Sequence, residues 1–127
     1  MPANIHDTTM IRIYGIRNCD TMKKAFAWLD SHAIAYHFHD YKRDGIDEAT
    51  LTDWVARVTR TPLVNTRGTT WRKLPDDARQ ITSDADAIAL MAAHTSLIKR
   101  PVLDTGDGRL LVGFSADTYA TELTEPR

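Results

Sequence analysis

Cysteine is nearly absent from this chain of 127 residues, which holds one, Cys19. One thiol cannot close an internal disulfide, so there is no disulfide framework, and a reducing compartment, the cytoplasm, is expected. An excess of one charge is missing as well. Sixteen basic residues face seventeen acidic ones and leave a net charge of −1, so no bulk attraction to nucleic acid is expected. No apolar run is long enough to cross a membrane, and no membrane contact is expected. Residues 1–9 lack the basic start and apolar centre of a secretory signal and read as a loose tail. The turn at Gly15 is too poor in glycine for a phosphate loop or a dinucleotide fingerprint, and no Ser-His-Asp pattern is present. His37 and His39 share a strand face, but their two nitrogens and one distant thiol do not make a defined site, so no metal site is expected.

What is present follows an ordered α/β pattern. An apolar strand at 11–14 precedes a helical pattern at 21–31, where Met22, Ala25, Phe26 and Leu29 recur at helical spacing with Trp28 beside them. Ile34, Tyr36 and Phe38 alternate with Ala35, His37 and His39 as a strand does. Asp44-Gly45 turns the chain. Asp47 is placed to cap a helix carrying Leu51, Trp54, Val55 and Val58, and Ser83 or Asp84 to start another. Residues 102–103 and 110–112 flank a turn-rich loop and read as a hairpin, after which Ser115 caps a last helix. A βαβ start and a ββα finish around a helical middle is the order of a thioredoxin-like fold. The expected organisation is a tail at 1–9, one domain at 10–122 with a helical insertion at about 46–95, and a tail at 123–127.

Cys19 follows the first strand and immediately precedes the first helix. Unpaired N–H groups and the macrodipole at a helix N-terminus favour an anion, which can be the thiolate itself. The other reading is a buried, inert thiol. In open sheets of this kind ligands bind beyond the carboxyl ends of parallel strands, which favours the reactive reading. Arg100-Pro101 interrupts an apolar stretch; the proline fits if it starts a strand, and a cis bond there is one option. Arg100 has the donor fork to clamp an oxyanion, against the plain reading of an exposed arginine. Asn65, Thr66, Arg67, Thr69, Thr70 and Arg72 cluster around Gly68, with Trp71 among them. That loop offers ligand donors, or else Thr69 or Thr70 caps a short helix and Trp71 packs on the core.

Three motifs in order carry a resemblance: Tyr14-Gly-Ile-Arg-Asn-Cys-Asp-Thr-Met-Lys-Lys-Ala25, Asn65-Thr-Arg-Gly-Thr-Thr-Trp-Arg-Lys-Leu74 and Ile98-Lys-Arg-Pro-Val-Leu103. Together they resemble the arsenate reductase/Spx family, and within it the small YffB-like branch. The resemblance implies a thioredoxin-like fold with a helical insertion (ArsC-like) and a nucleophile at Cys19. It implies an oxyanion contact at Arg100 beside Pro101, with Asn18, Asn65 and Arg67 as further binding residues. Of three family arginines only the one at Arg100 is in register; the second position is held by Asn65 and the third by Gly113, while a family histidine is replaced by Gly15. Each lost charge-assisted hydrogen bond is worth about 1.5–3 kcal/mol, so arsenate is not the expected substrate. The Cys-x-x-Cys switch of the regulator branch is excluded by Met22.

The expected function is a thiol reductase that acts on mixed disulfides or a related electrophile. Glutathione would be its co-substrate, no cofactor would be bound, and glutaredoxin is a candidate partner. The alternatives are a non-enzymatic Spx-like adaptor that binds a protein partner, and a residual arsenate reductase.

Overall fold

Four short strands make one mixed sheet in the computed structural model, which describes residues 10–124. The strands are β1 (Arg12–Gly15), β2 (His37–Asp40), β3 (Val102–Asp104) and β4 (Leu110–Val112), in the order β2-β1-β3-β4. β1 runs parallel to β2 and antiparallel to β3, and β3 pairs antiparallel with β4. With α1 (Asp20–Ser31) joining β1 to β2 and α6 (Ala116–Leu123) closing the chain after β4, this is the thioredoxin-like order read from the sequence. The expected tails, apart from Leu123 and Thr124, lie outside the described residues. Leu123 itself is the last residue of α6.

The described residues divide into two compact units, 10–40 with 100–124, and Tyr41–Lys99. In the first, Ile13 is paired with Phe38 on one side and Leu103 on the other. Ile13, Met22, Ala25, Leu29, Leu103 and Tyr119 are fully buried together, and Cys19, Phe26, Trp28 and Phe38 pack against them. Burying one such large apolar side chain contributes about 1.5–3 kcal/mol, which makes this cluster the main support of the sheet. Tyr119 takes the edges of Trp28 and Phe114, with ring centroids 5.5 and 4.9 Å away. The helical spacing of Met22, Ala25 and Leu29 is what turns α1 toward the sheet. Ser115 caps α6 as expected, accepting from Thr118 N–H at 3.3 Å.

The second unit contains α2 (Tyr41–Asp44), α3 (Glu48–Val58), α4 (Thr69–Lys73), α5 (Asp84–Ala93) and two short 3-10 turns. The segment 46–95 expected as a helical insertion lies within it. Asp47 caps α3 through Thr50 N–H at 2.8 Å, and Ser83 caps α5 through Asp86 N–H at 3.1 Å; each such cap is worth about 1 kcal/mol. α3 packs on α5, burying Leu51, Trp54, Ala87 and Met91. A bridge between Val64 and Ile98 ties the 60s loop to the end of the unit. Asn65 N–H reinforces it by donating to Leu97 O at 2.7 Å, as does Lys99 N–H to Leu63 O at 2.8 Å.

Several local expectations are corrected. β2 begins at His37; Ile34 and Tyr36 precede it yet still pack inward, so the alternation marked a packed face longer than the paired strand. One turn of helix, α2, stands before the Gly45 turn. α4 is capped by Gly68, so Thr69 is its first helical residue and neither threonine is the cap. Trp71 is half-buried and lines a cavity.

Candidate active site

Gly15 ends β1 with no room for a side chain. A Cβ there would stand 2.8 Å from Cε of Met22 and closer still to its sulfur, and Met22 is fully buried. The chain then passes Ile16, which is buried, to the exposed pair Arg17 and Asn18. Cys19 N–H donates back to Arg17 O at 3.1 Å, and Cys19 O accepts the first helical bond from Lys23 N–H at 3.0 Å.

Cys19 is therefore the N-cap of α1, with extended φ and ψ of −148° and 129°. In that position a side chain faces the open N–H groups of the first turn. The sulfur makes no cap hydrogen bond of full geometry, yet the amides of Met22 and Thr21 point at it closely enough to favour its anion. Burial pushes the Cys19 thiol up. The Met22 amide, a hydrogen bond and charge from the Arg100 guanidinium, and the Thr21 amide pull it down and prevail, so the thiol lies below its ordinary value. Cys19 is half-buried. Stabilisation of the thiolate is what nucleophilic chemistry at a cysteine requires.

The Arg100–Pro101 peptide bond is cis. Pro101 is buried and stands just before β3, its carbonyl accepting from Gly113 N–H at 2.8 Å. Cys19 and Arg100 thus meet within the first unit. Asn18 flanks the thiol and is exposed. Asn65 and Arg67 belong to the second unit. There Asn65 Oδ1 accepts from Arg67 N–H at 3.1 Å, and the Arg67 carbonyl accepts from Arg72 at 3.3 Å.

Two contributors escaped the sequence reading. The amides of Thr21 and Met22 are main-chain groups, visible only through the N-cap position of Cys19. Two glycines also gain reasons. Gly15 is enforced by Met22, and Gly113 has φ of +81°, where an arginine would be strained. Among the described residues no three potential ligands group to hold a metal ion, and no helix is long and apolar enough to cross a membrane.

Comparison with known proteins identifies the family. The ArsC family profile matches residues 14–121. A Haemophilus influenzae protein of uncharacterised function is 42% identical over 110 residues, 87% of this chain and 96% of its own. The global transcriptional regulator Spx of Streptococcus agalactiae is 24% identical over 110 residues, 85% of this chain and 79% of its own. The solved structure of the YffB protein superposes with a TM-score of 0.87 at 50% identity, covering 91% of this chain and all of that one. An arsenate reductase related protein from Brucella melitensis superposes with a TM-score of 0.71 at 46% identity, covering 98% and 100%.

Proposed function

This chain belongs to the ArsC family, whose members support a thiol-redox role, and from that premise we propose that it is a glutathione-dependent thiol reductase. The observation that carries the reading is the Cys19 sulfur at the start of α1, bonded by Arg100 and faced by the Met22 and Thr21 amides. On a glutathionylated substrate, the Cys19 thiolate attacks the glutathionyl sulfur. A Cys19–glutathione disulfide forms, the substrate disulfide breaks, and the substrate leaves as a thiolate that takes a proton from solvent. A second glutathione, as thiolate, attacks the glutathionyl sulfur of that adduct, giving oxidised glutathione and returning Cys19 as thiolate. The substrate disulfide is reduced and two glutathione units end as one disulfide. Met22 occupies the place three residues on, so no internal cysteine can resolve the adduct.

In this reading Arg100 steadies the anionic sulfur, and Asn18 contacts glutathione or substrate carboxylates. Glutaredoxin is a further candidate partner, no cofactor is bound, and the protein works in the cytoplasm. Arsenate is not the substrate, because Gly113 and Asn65 stand where the family's other arginines would supply charge.

The test is mass spectrometry of Cys19 after exposure to oxidised glutathione, paired with turnover of 2-hydroxyethyl disulfide by glutathione. A Cys19 adduct is expected, together with turnover that Cys19→Ser abolishes. Turnover that survives Cys19→Ser, or no adduct, overturns the reading. The 24% likeness to Spx favours a second reading, an adaptor with a protein partner. Stoichiometric capture of one partner, unaffected by Cys19→Ser, would support it.

A further inference from the structure

The second unit holds a cavity of about 310 Å³ whose wall is built from both charge and apolar surface. Arg60 and Arg79 supply guanidinium groups, Thr66 a hydroxyl, and Trp71, Val64 and Ile81 the apolar part. That size falls at the lower end of small-molecule sites, and a mostly apolar wall with a few convergent polar groups is their usual lining. A packing fault has a different character, since empty interior cavities are lined by apolar groups alone.

The floor is fixed by backbone. Val64 and Thr66 face the cavity, while Asn65 between them is held away by its bonds to Leu97 O and Arg67 N–H. Arg60 is launched by an unusual residue. Thr59 has φ of 70° and ψ of 170°, a conformation nearly confined to glycine, and such outliers cluster at ligand sites. The Arg60 carbonyl is then pinned by Leu63 and Val64 N–H groups at 3.1 and 3.2 Å.

The two arginines carry exposed counter-ions. Arg60 gives one N–H to Asp84 at 2.9 Å, and Arg79 gives one to Asp76, whose side chain is 91% exposed. Exposed ion pairs of this kind are weak and easily exchanged. A guanidinium has five donors, so each arginine retains capacity for a second, better oriented anion. Trp71 offers an aromatic face beside them.

We propose that this cavity binds a small aromatic anion, a carboxylate or phosphate held by Arg60 and Arg79 with its ring against Trp71. The site lies wholly within the second unit and shares no lining residue with the thiol site. It is independent of the reductase reading.

The test is an NMR titration of the full-length protein with phenyl phosphate, with inorganic phosphate and phenol as separate arms. Expected are saturable shifts at the Trp71 indole N–H and the Thr66 amide. Binding should weaken at least tenfold in Arg79→Gln and at least tenfold when either half of the probe is used alone. Cys19→Ser should leave it unchanged. Arg60→Gln should behave like Arg79→Gln; if it fails to fold, Arg79→Gln on its exposed turn decides the question. No saturable shift in the native protein, unchanged affinity in Arg79→Gln, or equal binding of inorganic and phenyl phosphate overturns the proposal.

Discussion

The thioether of Met22 fills the space that any side chain at Gly15 would need. The same Met22 presents its amide to the Cys19 sulfur, so one residue both seals the end of β1 and helps charge the thiol. Gly15 and Met22 should therefore behave as a coupled pair. Gly15→Ala forces the fully buried Met22 side chain to shift and should cost about 1–3 kcal/mol, the usual range for overpacking. In a Met22→Ala background the same change should cost nearly nothing. A double-mutant cycle by denaturant unfolding measures this coupling, and additive costs would contradict it.

Cys19 should titrate below an ordinary thiol. The pH dependence of iodoacetamide alkylation, followed by mass spectrometry, should place the folded midpoint under the ~8.5 of the same thiol in the unfolded chain. Arg100→Met should raise that midpoint only part of the way, because the Met22 and Thr21 amides remain. The folded value is depressed, so the thiolate's contribution to stability is present above the unfolded value and is lost as pH falls through the folded one. The native protein should accordingly gain on Cys19→Ser as pH rises across that window. An equal stability difference at both ends would show that the fold does not stabilise the anion.

Thr59→Gly should stabilise the protein. The strain of a β-branched residue at φ of 70° and ψ of 170° is on the order of 1–3 kcal/mol, offset by about 0.5–1 kcal/mol of extra chain entropy that glycine loses on folding. A net gain of about 1 kcal/mol is expected in urea unfolding. A loss would mean that the Thr59 side chain makes contacts worth more than the strain.

Gly113→Arg tests whether an arginine at this position is structurally barred. With φ at +81°, the substitution should cost about 1–2 kcal/mol, the penalty for a side chain in left-handed backbone. It should not confer arsenate reduction with glutathione. Unchanged stability together with arsenate turnover would reverse that conclusion.

Much of the fold was legible because its signals are local. The spacing of Met22, Ala25 and Leu29 gave the buried face of α1, and Asp47, Ser83 and Ser115 announced their helices through cap chemistry that needs no tertiary context. What was not legible depends on neighbours distant in sequence. The paired part of β2 is set by the register of β1, so periodicity across 34–39 overran it. Gly68 took the cap position from Thr69 through loop geometry that composition does not encode. The thiol site was legible in its side chains, Cys19 and Arg100, through motif order. Its amides and the steric veto at Gly15 come from backbone placement, which no residue type announces. Arg60 and Arg79 gave no sequence signal: both lie outside the three motifs, and the Asp84 that pairs with Arg60 is 24 residues away.

The N-cap position of Cys19 has one last consequence. A fold that lowers the free energy of the thiolate thereby disfavours every neutral derivative of the same sulfur relative to it, whether alkylated, sulfenylated or joined to glutathione. The charge part of the attraction between the helix end and its cap is lost when the sulfur is neutral. Any adduct at Cys19 is thus disfavoured relative to the free thiolate and carries a good leaving group, so the same feature that charges the thiol also eases its release.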